Sequence, residues 1–253
     1  MRSTAAEPDS RPPVFLSDPD SLAADVVTLD GPEGRHAATV RRLAAGERVD
    51  LTDGAGLIAE CVVTAAAAGR LELSVLARHS EPRPDPALVV VQALPKGEHG
   101  PLAVDLMTEG GVDVIVPWAA QRCVTRWQGE RGDRALARWR AAAREAAKQA
   151  RRAWLPEVTG PVTTAELVRR AGPASLAVLL DPGGPVLLSE LELPDSGDIM
   201  LIVGPEGGVS PAEVAELTGA GAVRARLGPA VLRTSSAGLV AATIVASRTG
   251  RWR

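Results

Sequence analysis

Tyrosine is absent from this 253-residue chain and phenylalanine occurs once, as Phe15. With so few aromatics, a row of rings stacking on nucleobases is a poor basis for recognition. Trp118, Trp127, Trp139 and Trp154 are expected in the core instead. Lysine is scarce as well, present only as Lys96 and Lys148. A phosphate-binding loop needs a Lys-Ser/Thr pair where its helix begins, and no glycine-rich segment here has one. The two cysteines, Cys61 and Cys123, lie in apolar segments without disulfide or zinc-ligand spacing, so both are read as buried thiols. His36, His79 and His99 are too scattered to hold a metal, and none is expected. The longest apolar run, Ala237 to Ala246, is interrupted by Gly238 and is shorter than the roughly 18–20 residues of a membrane span. Met1 to Pro13, rich in Pro, Asp, Ser and Arg, lacks the apolar centre of a secretory signal. A cytoplasmic protein without membrane contact is expected. A net charge of −3 argues against a generally cationic nucleic-acid binder.

What is present is unevenly distributed. Arg131, Arg134, Arg138, Arg140, Arg144, Lys148, Arg151 and Arg152 make a basic island with few acidic residues in it. Arg140, Arg144, Lys148 and Arg151 fall on one helical stripe. Leu136, Trp139, Ala143, Ala146 and Ala150 fall on another. One face is expected to pack and the other to meet phosphate.

Residues 1–13 read as a flexible tail. Residues 14–82 follow with short β-type segments: Val26 to Leu29, Arg48 to Leu51, Leu57 to Thr64 and Arg70 to Leu76. Asp53-Gly54 marks a turn, and Glu33 to Leu43 reads as a short helix stopped near Gly46. A small β-barrel domain is expected from this pattern. Three prolines in Glu81-Pro82-Arg83-Pro84-Asp85-Pro86 break both helix and central strand, which places a domain junction there.

Over 83–253 the pattern changes to strands alternating with helices. Strands are expected at Leu88 to Leu94, Val112 to Val116, Ser175 to Leu180, Ile199 to Val203 and Val223 to Leu227. Helices are expected at Leu102 to Glu109, Asp133 to Ala153, Thr164 to Ala171, Pro211 to Thr218 and Ser236 to Ser247. Strands apolar at nearly every position imply a mostly parallel sheet covered on both faces, hence an α/β domain. Ser210, Pro211 and Glu213 form a legible helix start. The last helix has almost no polar face, and a homodimer is expected to cover it.

Two loops stand out in this half. Val203-Gly204-Pro205-Glu206-Gly207-Gly208 leaves one apolar strand, and Leu227-Gly228-Pro229-Ala230-Val231-Leu232-Arg233-Thr234-Ser235 leaves another. Loops at the carboxyl ends of parallel strands line the ligand crevice, and small residues there let a ligand reach the backbone. The pair resembles the cofactor loops of the SPOUT class of RNA methyltransferases, and more closely the branch that methylates N3 of a uridine in 16S ribosomal RNA. His36 to Arg42, Gln92-Ala93-Leu94-Pro95-Lys96, Thr108-Glu109 and Arg138-Trp139 with Glu145 to Arg152 agree with that branch.

The resemblance implies a PUA-like barrel that binds RNA, an α/β domain with a trefoil knot, S-adenosylmethionine in the knot, and a homodimer acting on the small ribosomal subunit. It implies a cofactor site of Leu180, Val203, Gly204, Pro205, Glu206, Gly207, Gly208, Leu227, Gly228, Leu232, Thr234, Ser235 and Ala237. Arg233 and Glu206 are the expected catalytic residues, and Arg41, Lys96, Arg140, Arg144, Lys148 and Arg152 the expected RNA contacts. Ser235 stands where many members carry an acidic residue, and the proton-accepting group is left open. Two alternatives remain at this point: a ribose 2′-O-methyltransferase of the same class, and a non-catalytic rRNA-binding or assembly factor, which the Ser235 departure favours.

Overall fold

A computed structural model describes residues 11–252 and divides them into two compact units. The first runs to Arg83 and also takes in Arg151–Trp154; the second comprises Pro84–Ala150 and the chain from Leu155 onward. Most of the expected tail lies outside the described residues.

The first unit is a five-stranded sheet with hydrogen-bonded order β1-β3-β4-β5-β2. Its strands are β1 (Val14–Leu16), β2 (Val26–Leu29), β3 (Arg48–Thr52), β4 (Leu57–Ala67) and β5 (Arg70–Ser80). β1 runs parallel to β3 and all other pairs are antiparallel. Ala59, Cys61 and Val63 alternate inward along β4 and meet Leu71 and Leu73 of β5, so period two builds this core. Register shifts at Glu60/Cys61 and Val63/Ala65 bend the long hairpin, as bulges do. The segment expected as one helix is α1 (Gly31–Arg35) continued by a π-turn over His36–Val40. Residues 151–154 join this unit through a backbone and a side-chain bond: Gly56 N donates to the Ala153 carbonyl at 3.0 Å, and the Trp154 indole donates to the Glu81 carbonyl at 2.9 Å.

The second unit is a seven-stranded sheet in which every recorded pair is parallel, in the order β10-β12-β9-β11-β6-β7-β8. Its strands are β6 (Ala87–Ala93), β7 (Val114–Trp118), β8 (Glu157–Val158), β9 (Leu176–Leu180), β10 (Val186–Leu187), β11 (Asp198–Val203) and β12 (Val223–Arg226). The helices are α2 (His99–Glu109), α3 (Gly129–Gln149), α4 (Thr164–Ala171), α5 (Pro211–Gly219) and α6 (Thr234–Arg248). Leu88, Val90 and Val91 of β6 and Leu201 and Ile202 of β11 are fully buried, consistent with a sheet covered on both faces.

Several boundaries differ from expectation, some for local reasons. α2 begins at His99, because Pro101 in the first turn needs no donor there. α3 starts at Gly129 and stops at Gln149; Arg151 has φ of 55°, outside the helical range. β1, β8 and β10 are only two or three residues long and leave no periodic signal.

The nearly all-apolar α6 packs on β6, β11 and α2. Close approach requires Gly238: a Cβ there would stand 2.7 Å from Met107 Sδ and 3.3 Å from Val90 Cγ1. Just beyond α6, Arg251 is clamped to Asp113. Nη1 lies 2.7 Å from Oδ2 and Nη2 lies 3.0 Å from Oδ1, while further bonds reach the carbonyls of Pro86 and Gly111. Asp113 is buried and Arg251 is partly buried.

Candidate functional site

The order of the sheet assembles the site. β9 lies between β11 and β12, and Leu180 is registered with Val203 on one side and Ala225 on the other. The loops leaving these three strands therefore emerge side by side at their carboxyl ends. They enclose a cavity of about 310 Å³. It is lined by Leu180, Val203, Gly204, Pro205, Glu206, Gly208, Leu227, Gly228, Leu232, Thr234 and Ala237, all named from the sequence. Leu179, Asp181, Pro182, Val209, Val214, Ala230 and Val231 line it too and lie outside the expected set; Asp181 and Pro182 follow β9.

The glycine loop is held in shape from several directions. Gly208 has φ of +71° and donates to the Pro205 carbonyl at 2.8 Å, which closes the turn. Ser210 then caps α5, with its hydroxyl and amide both donating to Glu213 Oε2. The other oxygen, Oε1, accepts from Gln121 N at 2.7 Å and from the Thr164 hydroxyl at 2.9 Å. Burial pushes the Glu213 carboxyl up, but these amide and hydroxyl donors outweigh it and hold it below the ordinary range. Glu206 Oε1 accepts from Lys96 N at 3.1 Å, so the segment after β6 also supports the loop.

Gly207 and Ser235 do not line this cavity. Gly207 turns toward Arg122, whose Nη1 donates to its carbonyl at 3.2 Å. Ser235 lies instead in a second cavity of about 240 Å³, with His99, Glu206, Leu232, Arg233 and Thr234. Glu206, Leu232 and Thr234 line both cavities, whereas Arg233 lines only the second.

Around the first cavity, Leu179, Val203, Val209 and Val214 offer apolar walls suited to a flat ring system. Backbone at Gly204 and Gly228 can approach a ligand closely, and a Cβ at Gly228 would meet nothing within 4 Å. Asp181 is already engaged: both its bonds to Arg224, at 2.9 and 2.7 Å, go to Oδ2, and Oδ1 accepts from Gly183 N. That clamp joins the loop after β9 to β12. Nothing in the spacing of the two residues, one in a turn and one in a short strand, announces it.

The expected RNA contacts divide between the units. Arg41 and Arg152 belong to the first; Lys96, Arg140, Arg144 and Lys148 belong to the second. Arg41, Lys96, Arg140 and Arg144 are exposed, with Arg140 Nε donating to the Val158 carbonyl, and Arg152 is half-buried. Lys148 departs from the expected solvent stripe: it is 6% exposed and its Nζ lies 3.2 Å from Glu145. A helical stripe counts angles, not neighbours, and the end of α3 is more enclosed than its middle.

Trp118 and Trp139 are buried, and Trp127 meets Trp139 edge-on at 5.0 Å. Both cysteines are buried thiols. Among the described residues no group of three or more His, Cys, Asp or Glu could hold a metal, and no helix is long and apolar enough to cross a membrane.

Residues 82–246 match the RNA methyltransferase domain family, and residues 29–76 match the RNA methyltransferase PUA domain. The chain belongs to this RNA methyltransferase family. It is 48% identical over 238 residues to ribosomal RNA small subunit methyltransferase E of Mycobacterium bovis, covering 92% of this chain and 90% of that one. The enzyme of the same name from Bacillus subtilis is 27% identical, covering 89% and 91%. Among solved structures, ribosomal RNA small subunit methyltransferase E from Neisseria gonorrhoeae bound to S-adenosyl methionine has a TM-score of 0.82 at 25% identity, covering 94% of this chain and 98% of that one. Membership accounts for the two-unit organisation and for the paired loops.

Proposed function

We propose that this protein transfers a methyl group from S-adenosylmethionine to N3 of a specific uridine in 16S ribosomal RNA of the small subunit. The observation that carries the reading is the single cavity formed by the loops after β9, β11 and β12. Its apolar walls and close backbone suit an adenosine. Glu206 at the rim, shared with the second cavity, suits a cationic sulfonium centre. When bound, the cofactor supplies an electrophilic methyl group. The protein's part is alignment and electrostatics, because displacement at that carbon is in-line.

Leu180, Gly204, Leu227 and Leu232 hold the adenosine, and Glu206 faces the positive end. Arg233, in the second cavity, orients the base. Residues 14–82 bind RNA as a PUA-like domain, residues 83–253 carry the transfer, and Arg41, Lys96, Arg140, Arg144 and Arg152 meet phosphates. A trefoil knot in the second half belongs to the same reading. It is supported by a strand order in which β12 lies outside β9 while α6, which follows it, packs back on β6 and β11. So does a homodimer: Leu239, Val240 and Ile244 of α6 are only half-buried, and Leu102 on the adjacent α2 is exposed. The protein acts in the cytoplasm, where its substrate is made.

Titration calorimetry tests the cofactor site. Wild-type protein is expected to bind S-adenosylmethionine, and Gly228→Leu, which fills open space in the wall, to lose at least tenfold in affinity. No binding by wild type at high micromolar concentration contradicts the reading. Arg233→Ala is expected to keep cofactor affinity and lose methyl transfer; transfer at the wild-type rate contradicts its role.

A further inference from the structure

We propose that the second cavity receives the flipped-out uracil and that His99 takes the proton from its N3. The proposal rests on the base-methylating reading above and assigns the group which that reading leaves unnamed. The cavity of about 240 Å³ adjoins the cofactor cavity across Glu206, Leu232 and Thr234. A planar ring within it would lie beside Glu206, which the proposed function sets against the cofactor's positive end.

The lining matches a uracil edge. Uracil presents two carbonyl acceptors flanking one N–H donor. The Arg233 guanidinium, exposed and without a protein partner among the described residues, offers donors to a carbonyl oxygen. The Ser235 hydroxyl offers another. The N–H between them needs an acceptor that can keep the proton, and two candidates line the cavity. Glu206 already receives the Lys96 amide on Oε1. A carboxylate oxygen is also by type a weaker base than a neutral imidazole nitrogen. Among the described residues, His99 is the one imidazole that lines either cavity. It is exposed at the start of α2, so the captured proton can pass to water.

The charged groups around His99 come from each element packed there: Glu206 from the glycine loop, Arg233 from the head of α6, Lys96 and Glu98 from the preceding loop, and Arg138 of α3, held by Glu98 at 3.2 Å. In the step, the N3–H bond breaks and its proton moves to the neutral imidazole. The N3 electron pair forms a bond to the methyl carbon of the sulfonium donor. The carbon–sulfur bond breaks with its pair remaining on sulfur. Arg233 and Ser235 stabilise the negative charge that develops on the uracil carbonyl oxygens.

The test uses full-length protein, labelled S-adenosylmethionine, and small ribosomal subunits from cells lacking this protein. His99→Gln is expected to keep its thermal stability, bind cofactor within about threefold of wild type, and keep the KM for subunits. Its kcat is expected to fall about 10²- to 10⁴-fold, the usual worth of a positioned base. The acid limb of the kcat/KM pH profile is expected to vanish, and free imidazole to restore part of the rate to His99→Ala in proportion to its unprotonated fraction. An unchanged rate with the acid limb intact overturns the assignment of His99 while leaving the proposed function standing. Failure of the wild type to methylate a uridine base overturns both.

Discussion

Removing the Glu213 carboxylate should expose how much of the site's rigidity rests on one buried side chain. Its two oxygens accept four hydrogen bonds, from the Ser210 amide and hydroxyl, the Gln121 amide and the Thr164 hydroxyl, and the residue is 4% exposed. In Glu213→Ala the hydroxyls can turn elsewhere and Gln121, at the surface, can recruit water. The Ser210 amide loses its acceptor in a buried position. Loss of bonds to a charged acceptor, each worth about 1.5–3 kcal/mol, gives a total of about 3 kcal/mol after these compensations. For a chain of this size that corresponds to a fall in Tm of roughly 6–12 °C. Glu213→Gln keeps the shape but turns an NH2 toward donors, and should lose about half as much.

The pH dependence carries the sign of the mechanism. The folded-state pKa of Glu213 lies below its ordinary value of 4.5. Its stabilisation is therefore whole above about pH 4.5 and declines as the pH falls toward the folded value. Denaturant melts of wild type and Glu213→Gln between pH 7 and pH 3.5 should show a constant gap at the upper end and a narrowing gap below pH 4.5. A loss below about 1 kcal/mol in Glu213→Ala, or a gap that widens on acidification, refutes the reasoning.

Other perturbations have equally definite outcomes. Arg251→Ala strands the buried Asp113 carboxylate and should cost about 3–5 kcal/mol in a denaturant melt, with Asp113→Asn in the same chain recovering part of the loss. Gly238→Val drives a side chain into Met107 and Val90 across the contact of α6 with α2 and β6, and should lower Tm by several degrees, whereas Gly219→Ala, in open space at the end of α5, should change little. Burial, aided by Asp50, pushes the Cys61 thiol up to about 11. Native protein should therefore show no alkylation at Cys61 at pH 8 by peptide mass spectrometry, and urea-unfolded protein full alkylation.

Legibility in the sequence followed the range of the interactions. The short apolar runs Leu88 to Val91 and Ile199 to Val203 read as buried strands, and the helix start at Ser210-Pro211 is written in adjacent residues. The fourfold role of Glu213 is half local, through Ser210, and half remote, since Thr164 and Gln121 stand 49 and 92 residues away. The glycine loop and the loop before α6 are legible as a pair because each carries its own signal. Asp181 and Pro182 were missed because their place in the wall depends on β9 lying between β11 and β12, which no spacing encodes. Nothing near His99 in the chain reveals that Arg233 and Ser235, from the start of a distant helix, line the same cavity. Lys148 shows the converse: its stripe predicted solvent, and its surroundings buried it.

The central claim is a reaction, so its most direct test is the product. Small subunits from cells lacking this protein, incubated with it and labelled S-adenosylmethionine, should take up one methyl group each, and nucleoside mass spectrometry of the 16S RNA should find it as 3-methyluridine. A methyl group on a ribose, or no transfer to RNA that lacks the modification, would contradict the account.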